Sequence, residues 1–117
     1  MPSLRPPRPA LLAAILLALS AAATAAAADT EAEFRLVIRN HRFEPTEFAV
    51  PAGQRVRLRV DNQDASPEEF ESHGLNRETR IQGATEATIW IGPLAPGRYP
   101  FFGDFHSATA QGAVIAR

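Results

Sequence analysis

Beyond residue 30, apolar and polar residues alternate along much of the chain with the two-residue period of half-buried β-strands. The segment 55–60 (RVRLRV) is the clearest case, because Val56, Leu58 and Val60 alternate with arginines. Alternation and short apolar runs between turn residues predict strands at 33–39, 48–50, 55–60, 73–75, 79–82, 86–91, 98–102 and 111–116. No helical period of useful length accompanies them, so the pattern predicts an all-β, antiparallel sandwich or small barrel.

The first 28 residues follow a different pattern. Two arginines precede an apolar run at 10–19, and the small residues after it end in three alanines at 26–28. This arrangement is typical of a cleaved secretory signal peptide, and its apolar core is too short to span a bilayer. We therefore expect a signal peptide over 1–28, one domain over 29–117, a periplasmic location and no transmembrane segment.

Composition narrows the function classes. The chain has no cysteine, so disulfides, thiolate metal sites and thiol catalysis are excluded. Without the predicted leader it carries 10 arginines and 13 acidic residues, a net charge of −3 that speaks against a nucleic-acid surface. We find no nucleophile–base arrangement and no glycine-rich phosphate loop, so we expect neither a hydrolase nor a nucleotide-binding protein.

Histidines and acids gather in the loops of one end. If successive strands alternate in direction, the loops at 40–47, 61–72 and 103–110 meet, and we call this region the loop end. It holds His41 and His106. It also holds a run of five acidic residues, namely Asp61, Asp64, Glu68, Glu69 and Glu71. Carboxylates and imidazoles are common metal ligands, so the loop end is the candidate site.

Spacing suggests which side chains converge. Asp104 lies two residues before His106, and in an extended backbone both would point the same way as a metal-binding pair. Glu69 and Glu71 would likewise share one face, with Glu68 and Phe70 on the other. The candidate metal ligands are His106, Asp104, Glu69, Glu71, His41 and Glu68.

Each candidate also has an explanation without a metal. Asp104 can serve only to orient His106, and the acidic run can be an ordinary solvated loop. His41 can be a surface or capping residue.

The last third of the chain resembles a known family. Arg98–His106 (RYPFFGDFH), followed by Thr109–Gly112 (TAQG), resembles the ligand loop of cupredoxins. The likeness extends from about Phe34 to Arg117 and implies a Greek-key β-sandwich of seven to eight strands.

A narrower resemblance concerns Pro67–Ser72 (PEEFES) together with Phe102–His106 (FGDFH). These segments are similar to the small periplasmic, EfeO-type cupredoxin-like proteins found with bacterial high-affinity iron permeases. The resemblance implies a copper or iron ion and a partnership with an inner-membrane iron permease or other periplasmic iron-uptake components. It implies a role in iron uptake, either by delivering the ion or by assisting oxidation of Fe(II).

The chain departs from blue-copper members at their ligand positions. Gly103 stands where they carry the cysteine, and Ala110 lies near the place of their axial methionine. Carboxylates and imidazole suit iron, Cu(II), manganese or zinc better than Cu(I). The leading hypothesis is therefore a metal-binding protein rather than an independent enzyme, with a ferroxidase-type role left open. The alternative is a cupredoxin-fold module that docks another protein through its acidic end.

Overall fold

The structure is a computed structural model that describes residues 2–5, 7 and 31–117. The apolar run and the cleavage site of the predicted signal peptide lie outside the described residues. Among the residues that are described, no helix has the length and apolar character needed to cross a membrane.

Within residues 31–117 the chain forms nine strands and one short 3₁₀ helix. The strands are β1 (Ala32–Arg39), β2 (Arg42–Glu44), β3 (Glu47–Val50), β4 (Val56–Asn62), β5 (Glu68–Ser72), β6 (Arg77–Ile81), β7 (Glu86–Ile91), β8 (Gly97–Gly103) and β9 (Gln111–Ala116). The 3₁₀ helix covers Asp104–His106, between β8 and β9.

The strands build two sheets, a four-stranded sheet in the order β2-β1-β4-β7 and a five-stranded sheet in the order β3-β9-β8-β5-β6. The predicted all-β sandwich is confirmed. The sheets are mixed rather than purely antiparallel, because β1 pairs in parallel with β4 and β3 with β9. Alternation along a strand reports which face is buried but not which neighbour pairs with it, so the sequence pattern did not reveal these two parallel pairs.

Aromatic side chains from both sheets fill the centre of the core. Phe101 of β8 lies at ring-centroid distances of 4.9 Å from Phe43 and 5.0 Å from Phe70. Phe48 of β3 completes the group at 6.0 Å from Phe101. Phe70 is fully buried, as its predicted place opposite Glu69 and Glu71 requires.

The prediction of a short strand at 73–75 is wrong. β5 ends at Ser72, residues 73–76 form the turn, and β6 begins at Arg77. β5 was hidden in the sequence because its buried face carries Glu68 and Ser72 beside Phe70, so polar residues occupy both of its faces. His73 therefore lies in a turn at the other end of β5 from Glu68.

Three loops meet at the loop end, as strand direction predicted. The Asp64 carboxylate accepts hydrogen bonds from the backbone N–H groups of Asn40 (2.8 Å) and His41 (2.9 Å). The Thr109 hydroxyl donates to the His41 carbonyl oxygen at 2.6 Å. These contacts tie the β1–β2 turn to the loops that follow β4 and β8.

Candidate metal centre

Three carboxylates converge on the outer side of the five-stranded sheet. One oxygen from each of Glu69, Glu71 and Asp104 lies within 4.8 Å of the other two. Over residues 31–117 this carboxylate trio is the only set of three or more histidine, aspartate or glutamate side chains that meets this distance. The trio brings together half of the six predicted ligands.

Strand register explains how the trio forms. Alternation along β5 leaves Glu69 and Glu71 half-buried on the outer face, while Glu68 is buried, which confirms the predicted facing. β8 runs antiparallel beside β5 and pairs Glu71 with Phe102. Asp104 follows Phe102 by two positions as the first residue of the 3₁₀ helix, and it therefore lies next to the two glutamates.

The trio is a concentration of negative charge, and Arg80 of β6 is the cross-strand neighbour of Glu69. Glu78 of β6 pairs directly opposite Glu71 and adds a fourth carboxylate. In the described part of the chain, no arginine or histidine nitrogen lies within 4.0 Å of these four carboxylates. Glu78 raises the pKa of Glu69, since a protonated Glu69 can donate a hydrogen bond to it, and partial desolvation and the charges of Glu78, Asp104 and Glu71 raise that pKa further. A bound cation would relieve this repulsion.

His106 points away from the trio, toward the interior. Its Nδ1 lies 2.7 Å from Glu68 Oε2. The extended backbone assumed for 104–106 is wrong, because these residues form a 3₁₀ helix with three residues per turn. Side chains two positions apart then diverge, so Asp104 joins the glutamates while His106 meets Glu68. The predicted Asp104–His106 pair does not form.

His41 is exposed and lies against His106 rather than against the trio. Their rings stack with centroids 3.6 Å apart and an angle of 11° between the planes. The lone pair of an imidazole nitrogen lies in its ring plane, so two parallel stacked rings cannot aim at one ion unless a ring rotates. The structure therefore groups His41, His106 and Glu68 apart from the carboxylate trio, and their role as ligands stays a prediction.

The β1–β2 turn places His41. Asn40 and His41 both have positive φ, 53° and 57°, as the two central residues of a tight hairpin turn require. Asp64 holds this turn through the two backbone N–H groups described above. Burial by itself would raise the pKa of Asp64, but these donors and the nearby imidazoles of His41 and His106 outweigh it and lower that pKa.

Asp64 and Asn62 are structural residues of the site, although the sequence pattern placed Asp64 only within the acidic run and did not point to Asn62. The Asn62 side chain is buried and donates to the carbonyl oxygens of Ser66 (2.9 Å), Ile81 (3.2 Å) and Gln82 (3.3 Å). Its Oδ1 accepts the backbone N–H of Asp64 at 3.1 Å. An asparagine and an aspartate directly after a strand are a signal for such loop-holding bonds.

The inner loop end, by which we mean Glu68, Gly103, His106 and Ala110, does not fit a thiolate-bound copper. A Cβ built on Gly103 would lie 2.5 Å from Glu68 Cδ, 2.7 Å from Glu68 Oε2 and 2.8 Å from Ala110 Cβ. The Glu68 carboxylate thus fills the space that a side chain at position 103 would need. A site of the blue-copper type has neither its sulfur ligands nor the room for them here.

A family model for the "Cupredoxin-like domain" matches residues 10–116. An uncharacterised protein of Rickettsia prowazekii (strain Madrid E) is 42% identical over 87 residues, which cover 74% of this chain and 70% of that protein.

Solved structures share the fold at low sequence identity. Auracyanin A, a blue copper protein from Chloroflexus aurantiacus, has a TM-score of 0.65 at 15% identity, covering 74% of this chain and 99% of that one. The metal-binding domain of the Cu(I)-exporting P-type ATPase CopA from Streptococcus pneumoniae D39, solved with Cu(I), has the same TM-score and identity and covers 73% and 84%. At this identity the likeness concerns the fold alone.

Proposed function

Since the chain belongs to the family of cupredoxin-like domains, we propose that it is a periplasmic metal-binding protein that serves iron uptake. The ion, Fe(III) or Cu(II), is held by Glu69, Glu71 and Asp104. The observation that carries this proposal is the carboxylate trio, in which three ligand oxygens lie within 4.8 Å of one another. Among the described residues, no basic side chain within 4.0 Å neutralises it.

Ligand chemistry supports an oxidised ion. Carboxylate oxygens are hard ligands that suit highly charged ions, whereas Cu(I) is held by thiolate and thioether sulfur. Auracyanin A is a blue copper protein, and the CopA domain was solved with Cu(I), so this fold is used to hold metals. This chain has no cysteine, and its single methionine, Met1, lies in the predicted leader. We therefore favour Fe(III) or Cu(II) over the ion of the CopA domain.

The role in iron uptake is supported by the EfeO-type segments. Glu69 and Glu71 belong to Pro67–Ser72, and Asp104 belongs to Phe102–His106, the two segments that resemble the proteins found with iron permeases. An exposed carboxylate site is suited to passing an ion on to an inner-membrane permease or another periplasmic component. We favour delivery over Fe(II) oxidation, because a carboxylate site stabilises the oxidised ion and so opposes rapid redox cycling.

Calorimetric titration of the purified protein with Cu(II), Zn(II), Fe(II) and Fe(III)-citrate tests the site. We expect one ion per chain, bound about tenfold more weakly by Glu71→Gln and by Asp104→Asn. Glu33→Gln is the matched control, since Glu33 is exposed on β1 beside Arg59, away from the trio. Binding that is weak, non-stoichiometric or indifferent to both site variants would contradict the proposal.

Two further measurements test the periplasmic location and the role in iron uptake. The mass of the protein recovered from a periplasmic extract should correspond to 29–117 if the predicted leader is removed. Cells that carry the Glu71→Gln/Asp104→Asn variant in place of the natural chain should grow poorly only when iron is scarce. Normal growth of those cells in iron-depleted medium would speak against a role in iron uptake.

A docking module is the second candidate, because Phe105 is 43% exposed directly beside the trio. An exposed aromatic ring next to these acids suits a basic partner segment with an apolar anchor, and the Arg80 guanidinium already lies 5.7 Å from the ring centroid. In that case the protein would bind no ion, yet Phe105→Ser and Glu71→Gln would each weaken capture of its membrane partner. Stoichiometric ion binding that Phe105→Ser leaves unchanged would favour the metal-binding function instead.

A further inference from the structure

Glu68 is the buried carboxylate at the inner loop end, and its side chain is only 2% exposed. Its Oε1 accepts the backbone N–H groups of Glu69 (2.9 Å) and Phe105 (3.0 Å). Its Oε2 lies 2.7 Å from His106 Nδ1, within hydrogen-bond distance. Three partners therefore satisfy this buried carboxyl group, and two of them belong to the 3₁₀ helix.

The Glu68 carboxylate leaves no room for a side chain at position 103. Gly103 precedes the 3₁₀ helix, and any side chain there would collide with Glu68, since even a Cβ would approach its Cδ to 2.5 Å. Gly103 has φ of −93°, which any residue can adopt, so the need for glycine comes from space and not from backbone conformation. Glu68 and Gly103 are thus complementary in shape.

Backbone hydrogen bonds close the loop that follows the 3₁₀ helix and return it to Gly103. The Ala110 N–H donates to the His106 carbonyl oxygen, and the Gly103 N–H donates to the Ala110 carbonyl oxygen, each at 2.9 Å. The loop is therefore held at its two ends by backbone bonds and in its middle by Glu68. No contact in this arrangement requires a metal ion.

We infer that Glu68 is a positioning residue, a carboxylate latch that joins β5 to the 3₁₀ helix and holds Asp104 against Glu69 and Glu71 in the metal-free protein. The Phe105 N–H bound by Glu68 belongs to the peptide unit that follows Asp104, and His106 is fixed on the other side. Glu68 itself adds no ligand to the trio. The latch itself does not depend on the proposed function, and only the effect of Glu68 on ion affinity rests on it.

The test compares Glu68→Leu with the natural protein, both free of metal. Leucine is similar in size but has no polar side-chain atom, so the N–H groups of Glu69 and Phe105 and the Nδ1 of His106 all lose their partner. We expect the Phe105 amide to exchange with solvent about tenfold faster or more, while amides of β4 such as Leu58 keep their protection. Glu33→Gln, which removes an exposed carboxylate, should leave both unchanged.

Unchanged Phe105 exchange in a folded Glu68→Leu protein would overturn the latch. If Glu68→Leu does not fold, His106→Ala removes only the hydrogen bond between Glu68 and His106, and the Phe105 amide should again exchange faster.

Cu(II) titration is the second readout and separates the two proposals. We expect Glu68→Leu to weaken Cu(II) binding about tenfold, because Asp104 is then no longer held beside Glu69 and Glu71. An unchanged affinity despite faster exchange would overturn the positioning of Asp104. If the natural protein binds no ion, the proposed function fails, and the exchange result still decides whether the latch exists.

Discussion

The Glu68 carboxylate occupies the space directly above Gly103, at a place where a Cβ would come within 2.7 Å of its Oε2. A buried strand residue and a glycine from the neighbouring strand thus form one unit at the inner loop end. Cross-strand register brings them together, because β5 pairs with β8 at Phe70 and Gly103, just beyond Glu68.

Gly103→Ala should lower the free energy of unfolding by about 1–3 kcal/mol, the usual cost of overpacking a core. The cost should shrink, though not vanish, in a Glu68→Ala background, because Ala110 Cβ would still lie 2.8 Å away. Chemical denaturation of the four proteins gives the coupling. Gly97→Ala on the same strand is the control, since its Cβ would make only ordinary contacts from 3.7 Å. Strictly additive costs would contradict the shared space.

Asn62→Asp should be among the most destabilising single-atom changes in the chain. It would turn an oxygen toward the carbonyl oxygens of Ser66, Ile81 and Gln82, where the amide now donates. We expect a loss of about 3 kcal/mol or more in the free energy of unfolding at pH 7. Asn76→Asp, at an exposed turn residue, should cost little. Similar costs for the two variants would disprove the importance of the Asn62 network.

Asp64 should make stability fall in acid. Its pKa is lowered in the folded state, so its contribution is fully present above the ordinary aspartate pKa of about 3.9 and is lost as the pH falls through the lower native value. Asp64→Asn should cost on the order of 1 kcal/mol at pH 7, because one of the two turn N–H groups loses its acceptor. Urea denaturation from pH 7 to pH 2 should show the two proteins converging in acid. A constant difference would argue against this explanation.

Glu69→Gln should separate stability from ion binding. It removes one charge from four crowded carboxylates, so the metal-free variant should be slightly more stable than the natural protein at pH 7. The same change should weaken ion binding and reduce the rise in Tm on adding Cu(II). Scanning calorimetry with and without the ion measures both effects. A variant that is less stable without metal would mean that Glu69 is held by favourable contacts.

Local patterns were enough to predict much of the architecture. The inward positions of β1, β4 and β7 follow from strict alternation, and Val56, Leu58 and Val60 are buried as expected. The meeting of the three loops followed from strand direction alone. β5 was missed because a buried glutamate and serine break the apolar alternation, and hydrogen bonds from elsewhere in the chain satisfy both of them.

The sequence by itself determined the all-β class, the facing of Glu69 and Glu71, and the absence of a thiolate site, because these depend on residue identity and a two-residue period. Only the tertiary structure decided how the six candidate ligands divide. Three residues folded as a 3₁₀ helix turn Asp104 outward and His106 inward. That conformation is held by Glu68, 36 positions before Asp104, and no local pattern reports a bond between residues so far apart in sequence.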